Sequence, residues 1–276
     1  MHRIRRLPRG GLLRAQLWPF RQDDPKWAAD VMWDRGKVME VHRRYNGKNA
    51  AQAMLRRFRA GNTIGNEGCL LTCLAMVLRL LAAQSNQWTP KRLNRFAQDR
   101  LYYTPAGLSM ATLYADLVCE ATNGEVQLLL KEEYLSGEPG WPRTTASACV
   151  PLRAYRGLSA HSREDVALVL KTGTFDDTVA SHFVVVDPLD RGPVDTDDVA
   201  VLDPAQPLVS SKRPWFLSDS SRRICEDAKI RAEWHRAGIH DLQLAGVWVF
   251  ARWTSSKDMV LGGPFLKALA ALVPAE

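Results

Sequence analysis

Nowhere in the 276-residue chain do 18 apolar residues run together, so no segment reads as a membrane-spanning helix. The most apolar stretch near the C-terminus, Met259 to Val273, is interrupted by Gly262, Gly263, Pro264 and Lys267. A secretory signal is missing as well: Leu7 to Phe20 is broken by Pro8, Arg9, Gly10, Gly11 and Arg14 and has no small-residue cleavage site. The expectation is a cytoplasmic protein, or one exported without a recognisable signal peptide. Cysteine is scarce: the five, at positions 69, 73, 119, 149 and 225, are odd in number and form no framework of tight pairs. That usage points to a reducing compartment with thiols kept as thiols. Cys69 and Cys73 lie four apart, but no second compact Cys/His pair completes a zinc site, so neither a metal nor an organic cofactor is expected. Internal repeats and low-complexity tracts are also lacking.

Acidic charge is short at one end. Residues 1–60 carry 15 Lys/Arg against 5 Asp/Glu, whereas residues 61–276 carry 22 against 25. The overall charge of +7 therefore belongs to the N-terminal segment, with local runs at Arg3-Ile4-Arg5-Arg6 and Arg56-Arg57-Phe58-Arg59. Such runs are ordinarily solvated faces; residues 1–16 read as a basic flexible arm that would suit an acidic partner. No aromatic-interleaved surface or finger accompanies them, so specific nucleic-acid recognition is not expected.

What is present is a helix-forming front and a strand-forming back. Residues 26–60 have loosely helical spacing, firmest at Ala50, Met54 and Phe58, with Gly61 as a stop. Cys69 to about Ala83 is the strongest helix, apolar nearly all round and therefore central. Thr89-Pro90 starts another with a cap and a first-turn proline, and residues 109–121 a third with Ser109 as cap. After Asn123-Gly124, strands are expected at Val126 to Leu130, Asp165 to Leu170, His182 to Val186, Val199 to Leu202 and Leu242 to Ala251, with a charged helix at Ser220 to Arg236. Helices first and strands later imply an α+β class, a helical lobe packed on an antiparallel sheet.

Three chemistry-bearing residues stand out in that frame. A cysteine inside an apolar helix is ordinarily a small hydrophobe. Cys69, however, sits in the first turn directly after Gly68, where the unpaired amides and the helix dipole favour a thiolate; Cys73, one turn deeper, reads as structural. His182 opens a strand. If the hairpin that follows is centred between Gly192 and Pro193, residues whose numbers sum to 385 face each other, which sets His182 opposite Asp203. Asp203 before Pro204 is also an ordinary turn residue, and Asp187-Pro188 is the same dipeptide on the face away from His182. The histidines at 2, 42, 161, 235 and 240 lack a comparable strand context. Cys, His and Asp in that order are the parts of a nucleophile, a base and the group that orients it.

These residues resemble the bacteriocin-processing (double-glycine leader) peptidases and their relatives in the papain-like cysteine peptidase superfamily. Three blocks carry the likeness: Gln22-Asp23-Asp24-Pro25-Lys26-Trp27; Thr63 to Cys69 with Leu74-Ala75-Met76-Val77-Leu78 and Thr89 to Asn94; and His182 to Val186 with Leu202-Asp203-Pro204. The resemblance implies a papain-like fold over residues 17–253, with insertions at about 28–60 and 218–237, and a tail at 254–276. It implies Cys69 as nucleophile, His182 as general base and acid, and Asp203 as orienting group. Gln22 matches the oxyanion glutamine, with Asn62 and Asn66 as fallback donors because residues 28–60 lengthen the usual spacing. The activity implied is cleavage of a peptide, isopeptide or cell-wall amide bond in a peptide or protein substrate. Rival expectations are an acyltransferase or bacterial effector toxin of the same fold, or a catalytically inactive module that only binds.

Overall fold

The computed structural model describes residues 20–32, 63–100, 102–104, 107–108, 113–134, 145–146, 148–172, 182–190, 192–193, 196–206, 214–220, 232, 244–253 and 263–272. The basic arm, Asn62, most of the 28–60 insertion, most of the 218–237 insertion and the histidines at 2, 42, 235 and 240 lie outside the described residues.

The class is α+β. Two short helices, α1 (Ile64–Glu67) and α2 (Cys69–Leu81), follow one another with only Gly68 between them. A Cβ at Gly68 would lie 2.4 Å from the Ile64 carbonyl oxygen and 2.8 Å from the Ile64 Cα. The sharp junction therefore requires glycine because of close backbone approach, not because of an unusual φ. Next come α3 (Pro90–Asp99), the small hairpin β1 (Tyr103–Thr104) and β2 (Gly107–Leu108), and α4 (Leu113–Ala121). Helix α3 starts as its sequence predicts: the Thr89 hydroxyl accepts from Arg92 N–H and Pro90 takes the first turn. Asn123 and Gly124, with φ of 52° and 83°, turn α4 into β3 (Val126–Glu133).

Helices α5 (Val150–Arg156) and α6 (Ala160–Arg163) lead into β4 (Val166–Thr172), then β5 (His182–Val186), β6 (Val201–Leu202), β7 (Leu244–Arg252) and α7 (Gly263–Leu272). Among the described residues, the main sheet has five antiparallel strands in the order β3-β7-β4-β5-β6. Alternation sorts its side chains into two cores. Ala167, Val169, Phe183, Val185, Trp248 and Phe250 meet α2, while Val166, Leu168, Leu170, Val184, Val186 and Val249 meet α5 and α7. Covering both faces explains why β4 and β7 read as nearly continuous apolar runs.

Two differences from expectation have physical causes. The stretch expected as a C-terminal tail contributes α7, which docks on α5 and buries Phe265 completely, so that helices cover both faces of the sheet. The β5–β6 pairing joins Val185 to Leu202 and Val186 to Val201, a sum of 387 and not 385. Tertiary contacts of the connecting loop shift the register. Buried Arg156 reaches across it, bonding Asp190 Oδ2 at 2.9 Å, the Thr196 carbonyl at 2.8 Å and the Asp198 carbonyl at 2.6 Å. Asp190 in turn accepts the Ala200 and Gly192 amides.

Helix α2 anchors the first core. Leu71, Leu74, Leu78 and Leu81 are fully buried, each worth about 1.5–3 kcal/mol. Its last turn is met by Arg252, whose Nε donates to the Leu81 carbonyl at 2.5 Å. This packing holds the N-terminal end of α2, with Cys69, near the start of β5.

Candidate active site

Cys69 is the first residue of α2, so its N–H is among those a helix leaves without an internal carbonyl. Its side chain is partly exposed, while Cys73 one turn further is fully buried. Burial pushes the Cys73 thiol well up, and the neighbouring Cys69 and Asp203 push it the same way, which keeps it a protonated, structural thiol.

His182 begins β5 at the end of the sheet. Its Nε2 lies 2.7 Å from Asp203 Oδ1, and Cys69 is close enough to the ring to help raise its pKa. With Nε2 engaged by Asp203, Nδ1 is the nitrogen left for sulfur. The contact with Asp203 is diagonal, because the register places Asp203 beyond Leu202 and across from Val184. Burial alone would lower the imidazole pKa. The Asp203 charge and hydrogen bond, reinforced by Cys69, outweigh it and raise it from the usual 6.5 to about 10.

Asp203 is almost wholly buried, at 1% exposure. Burial works against its charge, but His182, Ser220 and the Ala205 amide hold its pKa below the ordinary carboxylate range. The Ala205 N–H donates to Oδ1 at 2.7 Å, and the Ser220 hydroxyl donates to Oδ2 at 2.5 Å. Ser220 is a member of the site that sequence reading missed. It stands 17 residues beyond Asp203, and no local pattern marks it.

Gln22 joins the two halves. Its backbone N–H donates to the Pro204 carbonyl at 2.9 Å, next to Asp203, and its Nε2 donates to the Gly65 carbonyl at 3.0 Å, four residues before Cys69. One Nε2 hydrogen is used there; the amide group has a second. Among the described residues, the Gln22 Oε1 atom is buried without a partner. Gln22 is steadied by its neighbours: Phe20 packs edge-on to Trp27 at 5.6 Å, and Trp27 Nε1 donates to the Arg21 carbonyl at 2.6 Å. Asn66 lies in α1, exposed.

Asp187 does not join this group. Its carboxylate accepts the Leu189 amide at 2.8 Å, a turn-forming role, and burial raises its pKa. His161 is exposed and 4.0 Å from Glu164. Among the described residues no cluster of three or more His, Cys, Asp or Glu is arranged to hold a metal ion, and no helix is long and apolar enough to cross a membrane.

Compared with family models, curated proteins and solved structures, the chain matches none. A thiol, an imidazole and a buried carboxylate in series can transfer a proton from sulfur to nitrogen and keep the resulting cation.

Proposed function

We propose that the chain is a papain-like cysteine peptidase or amidase that cleaves a peptide, isopeptide or cell-wall amide bond. The observation that carries this reading is one imidazole bonded to the buried Asp203 carboxylate with Cys69 beside it, at the N-terminal end of a buried helix packed on an antiparallel sheet. An ordinary buried histidine needs one satisfied nitrogen; a ring held between a half-exposed thiol and a buried anion is what covalent acyl transfer requires.

In this reading His182 Nδ1 already holds the proton of the Cys69 thiol, in keeping with its raised pKa, when sulfur attacks the amide carbonyl carbon. The new C–S bond forms and the carbonyl π pair moves onto oxygen. That oxyanion is met by the Cys69 N–H and by the free Nε2 hydrogen of Gln22, a contribution of roughly 10²–10³ in rate for one such donor. The tetrahedral species collapses, the C–N bond breaks, and His182 gives its proton to the leaving amine. Water then adds to the thioester carbonyl with His182 taking its proton, the C–S bond breaks, and the carboxylic acid leaves with that proton shared again between His182 and sulfur. Asp203 stays ionised throughout and orients the ring.

A mass-spectrometric search for amide cleavage across a peptide and peptidoglycan panel tests the reading. Wild type should give cleaved products and folded Cys69→Ala none. Equal cleavage by both proteins would remove Cys69 from the chemistry.

A further inference from the structure

We infer that Ser220, held by Trp215, is a positioning residue that locks the polarity of the hydrogen-bond chain ending at His182. The lock fixes the tautomer with which that ring meets Cys69. The inference rests on the cysteine-nucleophile reading and adds to it a residue from a distant segment.

The bookkeeping of hydrogens leaves one arrangement. An indole N–H can only donate, and Trp215 Nε1 lies 2.9 Å from Ser220 Oγ. Ser220, 1% exposed, therefore accepts from Trp215, and its single hydroxyl hydrogen points to Asp203 Oδ2 at 2.5 Å. Asp203 Oδ1 receives the Ala205 amide, which cannot reverse. With a fixed donor on each carboxylate oxygen and its pKa held below the ordinary carboxylate range, Asp203 is an anion, so the 2.7 Å contact runs from His182 Nε2–H to Oδ1. Neutral His182 then carries its hydrogen on Nε2, and Nδ1 faces the thiol as an acceptor.

The segment that brings Ser220 here is built for placement. Val201 N–H donates to the Trp215 carbonyl at 2.7 Å and Leu217 N–H to the Val199 carbonyl at 2.8 Å, with a bridge between Ala200 and Phe216. Residues 215–217 thus line the free edge of β6, next to Asp203. The Phe216 N–H is met by Asp219 Oδ2 at 3.1 Å, which starts the helical turn that carries Ser220. Among the described residues, the titratable groups around the circuit are His182 and Asp203 themselves, Cys69 and Cys73 from α2, and Asp219, turned toward the Phe216 amide.

The test uses the full chain, with ¹⁵N NMR of the His182 ring and the rate of Cys69 carboxymethylation by iodoacetate from pH 5 to 11. Iodoacetate is drawn to an imidazolium, so its rate falls when His182 loses its proton. In wild type the ring should be protonated on Nε2 at every pH. Ser220→Ala should lower the Cys69 rate at pH 7 roughly 10-fold or more, the size expected for a lost hydrogen bond to a charged group. It should also move the alkaline limb to lower pH. Ser220→Thr should restore both, and Trp215→Phe, which frees the hydroxyl to rotate, should fall between. A wild-type ring protonated on Nδ1 alone overturns the inference without any variant. So does a folded Ser220→Ala protein with wild-type rate and limb. A wild-type Cys69 no faster than the other thiols removes the nucleophile reading, and the inference with it.

Discussion

Arg156→Ala should be among the most damaging substitutions available outside the candidate site. The Arg156 and Asp190 side chains are 1% and 2% exposed, and the guanidinium also holds the Thr196 and Asp198 carbonyls. Removing it leaves a buried carboxylate without its cation, a change that costs about 3–5 kcal/mol in comparable sites. For a domain of this size each kcal/mol moves Tm by about 2–4 °C, so a fall of roughly 6–20 °C is expected. Arg163 cannot substitute, because its three guanidinium nitrogens already donate to the Leu158, Asp190 and Arg156 carbonyls. Urea unfolding followed by circular dichroism reads the loss directly. Replacing both partners, Arg156→Met with Asp190→Leu, should recover much of it, because no charge is then stranded. A single Arg156→Ala that costs less than about 1 kcal/mol would refute the clamp and the explanation it offers for the β5–β6 register.

Gly68→Ala should destabilise the chain by roughly 1–3 kcal/mol, because the added methyl meets the Ile64 backbone; a thermal melt at wild-type Tm would contradict this. Stability should also fall as pH rises from about 6.5 to about 10. The folded protein keeps the His182 proton over that range while the unfolded chain releases it, a change of the order of a few kcal/mol at most. Below the ordinary carboxylate pKa the trend reverses, since protonation of Asp203 opposes folding. Urea midpoints that stay flat between pH 6.5 and 10 would sink the His182 assignment. Gln22→Ala, in the proposed reaction, should lower kcat about 10²–10³-fold with the fold intact; an unchanged kcat would take the oxyanion role from Gln22.

Much of the core was legible because its signals are local. The apolar run of α2, the Thr89 cap and the Asn123-Gly124 turn each reflect propensities that act within one or two turns of chain. His182 and Asp203 could be brought together from strand pattern alone, although the register is two residues from the one a simple hairpin implies. The rest depends on distant partners. The loop between β5 and β6 is shaped by Arg156, a charged residue in a short helix that has no strong period. Ser220 reaches Asp203 only because residues 215–217 pair with β6. Helix α7 is short, and its role appears only once Phe265 is seen filling the second core. Hydropathy records that a residue is buried; it does not record against what.

The central claim is a working partnership between the Cys69 sulfur and the His182 ring. The most direct measurement is the iodoacetamide reactivity of each thiol at pH 6, resolved by peptide mass spectrometry, in wild type and in His182→Ala. An unperturbed thiol is under about 1% thiolate at that pH. With His182 beside it, Cys69 should react faster than any other cysteine in wild type and lose that advantage in the variant. Equal labelling of Cys69 in the two folded proteins would contradict the account.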